Sequence, residues 1–292
     1  VYVYDAATAQ LQQTLEMPEL YPGSQFGLNL AVSGNWLAVG APGVTKNDGR
    51  VYLYAFENNQ WALKQTLKAV SKTGYFGTGL ALSDNWLVVG APKALRSGVV
   101  GVRSGMVYAY QRSGTQWKPA AANALPLPEL EQYRAGELGA ALALRNETLA
   151  IAAPKVTLSS NQGRSLSDSG RVYTWSLDGV TQTWQIEATL EMDMPYLVNT
   201  GGLFGSTLNL SDDGRWLVIG APGADQNPEQ DGDNQFDIGR VFLYRVGGLG
   251  WSQTQMLKGE VRFLQLGRTV YLSSDELFIA DGKGGVGVWR VE

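Results

Sequence analysis

Five times along this chain a residue pair ending in glycine is followed, about a dozen residues later, by a block that reads Trp-Leu-Val-Val-Gly-Ala-Pro or a variant of it. The full form runs Phe26-Gly27 to Trp36-Leu37-Ala38-Val39-Gly40-Ala41-Pro42, and again Phe76-Gly77 to Trp86-Leu87-Val88-Val89-Gly90-Ala91-Pro92. Further copies run Leu138-Gly139 to Ala153-Pro154 and Phe204-Gly205 to Gly220-Ala221-Pro222, and a degenerate one runs Leu266-Gly267 to Phe278-Ile279-Ala280-Asp281. A repeat of roughly 50 to 65 residues is one supersecondary unit that buries its apolar faces only by stacking on its neighbours.

Each unit divides into four short strands. The first, as in Gly27–Val32, alternates in polarity and ends at a tight turn such as Ser33-Gly34-Asn35. The second, Trp36–Val39, is continuously apolar, as a strand covered on both faces should be. The third is Val51-Tyr52-Leu53-Tyr54 and its equivalents at Val107, Val172 and Val241, and the fourth opens on Trp61, Trp184 or Trp251. Enrichment in Val, Tyr, Trp and Thr between Gly, Asn, Asp and Ser turns reads as β throughout. Four antiparallel strands repeated radially make an all-β fold, a β-propeller. The motif glycines are expected where backbones approach too closely for a Cβ, and Pro42, Pro92, Pro154 and Pro222 where the second strand stops.

The ends set the expected register. Val1–Asp5 and Leu11–Leu15 match a third and a fourth strand, whereas 259–292 supply a first, second and third. The chain is therefore read as one propeller domain over 1–292. It has a partial blade at 1–17 and repeats at about 18–67, 68–127, 128–191, 192–258 and 259–292. Six blades fit this count, with five to seven compatible. The expectation is of a first blade lacking an inner pair that upstream residues, roughly 40 to 50 at this repeat length, would supply. A five-bladed ring closed by the N-terminal strands is the alternative.

The chain contains no cysteine and no histidine, which excludes thiol catalysis, a Ser-His-Asp triad and His- or Cys-ligated metals. A net charge of −4 offers no basic face to nucleic acid, and no apolar run is long enough to span a bilayer.

The paired Phe-Gly and Gly-Ala-Pro motifs resemble the FG-GAP repeat of integrin α-subunit propellers, most closely the bacterial surface-protein variety. The resemblance covers nearly the whole chain. It implies a secreted or surface-displayed protein, extracellular or at the cell surface, that binds a protein or glycan partner. The calcium loop of integrin-type repeats does not carry over. Only short hairpins such as Ser83-Asp84-Asn85 and Arg145-Asn146-Glu147 stand in its place, with too few oxygens for the six to eight ligands calcium takes.

The connections from second to third strand grow along the chain: 43–50, 93–106, 155–171 and 223–240. Long loops on a rigid scaffold are where function usually sits. The candidate ligand-binding residues on this rim are Lys93, Arg96, Arg103, Arg164, Asp168, Asp225 and Asp231. Within the last loop, Asp225, Asn227, Glu229, Asp231, Asp233 and Asp237 have the alternate spacing of an oxygen cage around Gly232, so a calcium site competes there with a solvated acidic loop. No other cofactor is implied.

The sequence-based expectation is a non-catalytic binding or adhesion module, hence no enzyme, using this loop rim. A structural subunit of a self-assembling surface filament and a carbohydrate-binding lectin are the alternatives. A hydrolase ranks below them. The turns Ser211-Asp212-Asp213-Gly214-Arg215-Trp216 and Ser176-Leu177-Asp178-Gly179 are similar to sialidase turns but have the wrong spacing to their Trp.

Overall fold

The structure is a computed structural model. It describes residues 1–69, 74–95, 104–121, 124–128, 136–159, 165–192, 201–225, 237–261, 263–273 and 276–290. An N-terminal pair, β1 (Tyr2–Tyr4) and β2 (Leu11–Thr14), precedes four complete blades. The first is β3 (Leu30–Ser33), β4 (Trp36–Ala41), β5 (Arg50–Glu57) and β6 (Gln60–Lys68). The second is β7 (Gly79–Leu82), β8 (Trp86–Ala91), β9 (Met106–Ser113) and β10 (Gln116–Pro119). The third comprises β11 (Leu142–Arg145), β12 (Thr148–Ala153), β15 (Arg171–Asp178) and β16 (Thr183–Leu190), with a small hairpin, β13 (Leu158–Ser159) and β14 (Ser165–Leu166), inserted between its second and third strands. The fourth is β17 (Thr207–Leu210), β18 (Trp216–Ala221), β19 (Arg240–Gly247) and β20 (Gly250–Lys258). The last sheet has three strands, β21 (Thr269–Leu272), β22 (Glu276–Ala280) and β23 (Val286–Arg290).

Every strand-to-strand pairing is antiparallel and lies within a blade, where β12 pairs β15 across the inserted hairpin, and the inner strands β3, β7, β11, β17 and β21 lie next to one another in that order. This is a β-propeller. Among the described residues, β1 and β2 pair with each other and not with β21, β22 or β23, which is not the closure the five-bladed alternative requires. They pack instead on the first blade, where Leu15 meets Leu37, Val39 and Tyr54 in one buried cluster.

The motif residues weld blade to blade. The first-strand glycine takes a left-handed backbone, φ +87° at Gly139, and a Cβ there would sit 2.9 Å from the Cα of Gly90 in the preceding blade. Conversely, a Cβ on Gly90 would run into the carbonyl oxygen of Gly139. Main-chain bridges Gly49 to Phe76, Gly105 to Leu138, Gly170 to Phe204 and Gly239 to Leu266 repeat the same seam. The second strands end at Ala41, Ala91, Ala153 and Ala221, each directly before the motif proline.

The core lies between blades. Trp36 and Leu53 of the first blade pack with Phe76, Leu87 and Trp117 of the second, and Trp86 and Val88 of the second with Leu149, Trp175 and Trp184 of the third. The second-strand Trp of one blade meets the fourth-strand Trp of the next edge to face, Trp36 on Trp117 at 5.6 Å and Trp86 on Trp184 at 5.7 Å. Glutamines supply a polar counterpart. The Gln65 side chain donates to the Trp117 carbonyl and accepts from the Trp117 amide, both at 2.8 Å, and Gln13 does the same with Trp61 at 2.9 and 2.8 Å.

Candidate functional site

Four short hairpins joining first to second strands gather at one end of the ring. Register fixes their tips. Leu82 faces Leu87, so Ser83-Asp84-Asn85 must turn, and Arg145 faces Thr148, so Asn146-Glu147 must turn, with Asn146 at φ +49°. Neighbouring tips are tied in two places. Ser33 Oγ donates to Asp84 Oδ1 at 3.0 Å between the first and second blades. Asn146 Nδ2 donates to the Asp212 carbonyl at 3.1 Å between the third and fourth, where Arg145 Nε lies 3.7 Å from Asp212 Oδ1. Between the second and third blades, among the described residues, the tips stand apart. There a chamber of about 460 Å³ opens, lined by Asp84, Asn85, Arg145, Glu147, Gln182 and Asp212 among others.

The groups in this chamber differ in how firmly they are held. Arg145 also donates through Nη1 to the Leu144 carbonyl at 3.1 Å, which fixes the guanidinium on the wall. Its side chain is 38 % exposed, so its remaining donors reach solvent. Asp84 is oriented by Ser33. Gln182 is held by its own turn, donating to the Gly179 carbonyl at 2.8 Å. Beside the chamber, hydrogen bonds from Ser211 Oγ (2.5 Å) and the Arg215 amide (2.9 Å) hold the Asp213 carboxyl below the usual carboxylate range, so it stays an ionised turn cap. Below the chamber lies a channel cavity of about 260 Å³ bounded by β3, β7, β11 and β17. It shares Val32, Leu82, Leu144 and Arg145 with the chamber, so the two adjoin.

The loop rim expected to carry function lies at the opposite end of the blades. Lys93 is bonded to Glu137, and Lys155 reaches the same carboxylate oxygen at 3.1 Å. Asp168 sits at φ +52° in the turn before β15, with its carbonyl accepting from the Leu203 amide at 2.9 Å. Asp225 Oδ1 accepts from the Asp237 amide at 2.6 Å, so these two ends of the acidic loop meet. Arg96, Arg103, Arg164 and Asp231 lie outside the described residues, as do the metal candidates Asn227, Glu229 and Asp233. Asp84, Arg145, Glu147 and Asp212, which line the chamber, were not among the sequence candidates; they stand in or beside the first-to-second-strand tips, one to four residues before the second strand.

No family model and no curated protein matches the chain. Among solved structures the chain is similar to that of Pseudomonas aeruginosa periplasmic gluconolactonase, PpgL, at 14 % identity and a TM-score of 0.46, over 100 % of this chain and 87 % of that one. The expectation of a non-catalytic binding or adhesion module, and with it of no enzyme, is corrected here: a solved structure to which the chain is similar over its whole length carries the name of an enzyme, a likeness that reaches the fold and not the activity. The chamber brings together carboxylates from hairpins more than sixty residues apart, Asp84 and Glu147, with Asp212 from a further blade. No helix among the described residues is long and apolar enough to cross a membrane.

Proposed function

We propose that the chamber is a hydrolytic site acting on the carbonyl of a small ester or lactone. The observation that carries this reading is the joint presence, on one cavity of about 460 Å³, of a wall-fixed Arg145 and the Glu147 carboxylate from the same hairpin. A carboxylate within reach of bound water takes its proton as the water oxygen adds to the carbonyl carbon. The negative charge that develops on the carbonyl oxygen falls to a guanidinium already in place, which is the geometry that stabilises an oxyanion. The proton held by Glu147 then passes to the departing alkoxide, leaving acid and alcohol and restoring the carboxylate. Asp84 and Asp212, oriented by Ser33 and Arg145, would position hydroxyl groups of the substrate. An acyl reaction is favoured over a glycosyl one because a guanidinium opposes the positive charge of an oxocarbenium-like transition state.

The FG-GAP resemblance and a location outside the cell belong to the same proposal. The resemblance is supported by the phase of the paired motifs and the seam those motifs build between blades, and the location is what the resemblance implies.

The test is proton release from a panel of simple esters and of lactones, the substrate type in the name of the Pseudomonas aeruginosa protein. Glu147→Gln should lower turnover about 100-fold or more without altering the circular dichroism spectrum, general acid–base groups being worth roughly 10²–10⁴. Full activity in that variant, or no hydrolysis of any panel member, would sink the proposal.

A further inference from the structure

Each inner strand β3, β7, β11 and β17 is the last strand of its sheet, pairing with a neighbour on one side only. Its other edge carries main-chain N–H and C=O groups without a ladder partner, and these edges bound the channel. On β3 the exposed Leu30 and Val32 are among the lining residues, but along β7 and β11 most side chains do not form the wall. Leu80, Ala81, Leu82, Ala143, Leu144 and Leu210 are all at most 9 % exposed, their side chains turned into the cores between blades. What they present to the cavity is backbone.

Beside β7, and at β21 outside the channel lining, some of the edge groups are met by the preceding blade. Asn29 Nδ2 donates to the Thr78 carbonyl, Thr207 Oγ1 donates to the Gly267 carbonyl at 3.0 Å, and Asn209 Oδ1 accepts from the Leu272 amide at 2.9 Å. The remaining edge groups along β7 and β11 face the cavity, and polar backbone in such a place is satisfied by water or by a ligand that does the same. An aliphatic chain would strand these donors and acceptors. An ion would find no charged side chain of opposite sign inside, Arg145 standing at the mouth only. A hydroxyl group donates one hydrogen bond and accepts two, which matches an edge that alternates N–H and C=O.

We propose that the channel is the subsite for a polyhydroxylated portion of the substrate, held by main-chain edges of β7 and β11 while its carbonyl stays at Arg145. The assignment of this ligand as substrate rests on the hydrolytic reading of the chamber. The assignment of the channel to a polyol does not.

Amide hydrogen exchange on the whole chain tests it, using glucitol as the probe and hexanediol as the control. Glucitol at saturation should slow exchange by about tenfold or more in 80–82 and 142–145, as hydrogen-bonded amides are protected from opening, with no change in β10 or β16 and none from hexanediol. The same protection should appear when Glu147→Gln is loaded with whichever panel member the wild type hydrolyses. Absence of protection with glucitol at any attainable concentration would overturn the proposal. So would a hydrolysed substrate whose complex with Glu147→Gln leaves both strands unprotected, an outcome that spares the hydrolytic reading. Protection by glucitol with no hydrolysis of any ester or lactone would do the reverse, removing the hydrolytic reading and upholding the polyol subsite.

Discussion

Replacing Gln65 by alanine should cost the fold more than a side chain of that size ordinarily would. Gln65 stands on the outermost strand of the first blade, and its amide closes a two-bond ring with the main chain of Trp117 on the outermost strand of the second. Each bond is worth about 0.5–1.5 kcal/mol net, so the pair contributes about 1–3 kcal/mol. Trp117 is 1 % exposed, and water has little access to the N–H and C=O left behind. A buried orphan carries its own desolvation cost, which places the expected loss at about 2–4 kcal/mol. Gln13 supplies the internal control. It makes the same two bonds to Trp61, but Trp61 is only half-buried, so water replaces the lost partner. Gln13→Ala should therefore cost about half as much or less. Urea unfolding at equilibrium, with m values compared so that the midpoint shift reports stability, measures both. A loss below about 0.5 kcal/mol for Gln65→Ala, or a larger loss for Gln13→Ala, would show that these clips are incidental to blade docking.

Trp86→Ala should cost about 3–5 kcal/mol in the same assay, because Trp86 is 2 % exposed and packs on Trp184; Trp216 is partly exposed beneath Arg245, and Trp216→Ala should cost clearly less. Gly90→Ala should prevent folding or cost more than about 3 kcal/mol, since its Cβ meets a fixed carbonyl, whereas Gly114→Ala, in open space at φ +65°, should cost only the left-handed penalty of about 1–2 kcal/mol. Burial pushes the Tyr54 and Tyr110 hydroxyls up from 10.0 to about 12. Below pH 10 both folded and unfolded chains hold these protons and stability is level; between pH 10 and about 12 the unfolded chain releases them first, so stability falls across that window. Tyr110→Phe should flatten the fall in the urea midpoint, and a midpoint independent of pH over that window would refute the assignment.

The fold was legible because each motif residue answers to a local constraint that the repeat restates. A glycine opposite Gly90 or Gly139 has no substitute, and an apolar run such as Trp86–Val89 has no other place than a strand covered on both faces. The four-strand pattern holds even where the local signal weakens: in the second blade Lys118-Pro119 stands in place of the Gln-Thr-Leu ending, and β10 still forms around the buried Trp117 and stops at that proline.

The chamber was illegible for a different reason. Its groups sit in turns whose sequence meaning is exhausted by the turn itself. Ser83-Asp84-Asn85 and Arg145-Asn146-Glu147 read as ordinary hairpins, and they are ordinary hairpins. What brings them together is the radial arrangement of blades, which converts positions one repeat apart into neighbours across a cavity. A single tip offers one carboxylate to solvent, and such a group is more often a solvated charge than a reactive one. Adjacent tips also compete for each other: Ser33 ties down Asp84, and Asn146 with Arg145 reaches toward Asp212, closing those two seams. Among the described residues, the tips of the second and third blades are not tied to each other, and the chamber opens there. The location proposed for the site thus follows a gap between hairpins rather than a residue pattern. The lengthening loops at the far rim pulled attention the other way, because loop length is visible in a sequence and a gap between two short hairpins is not.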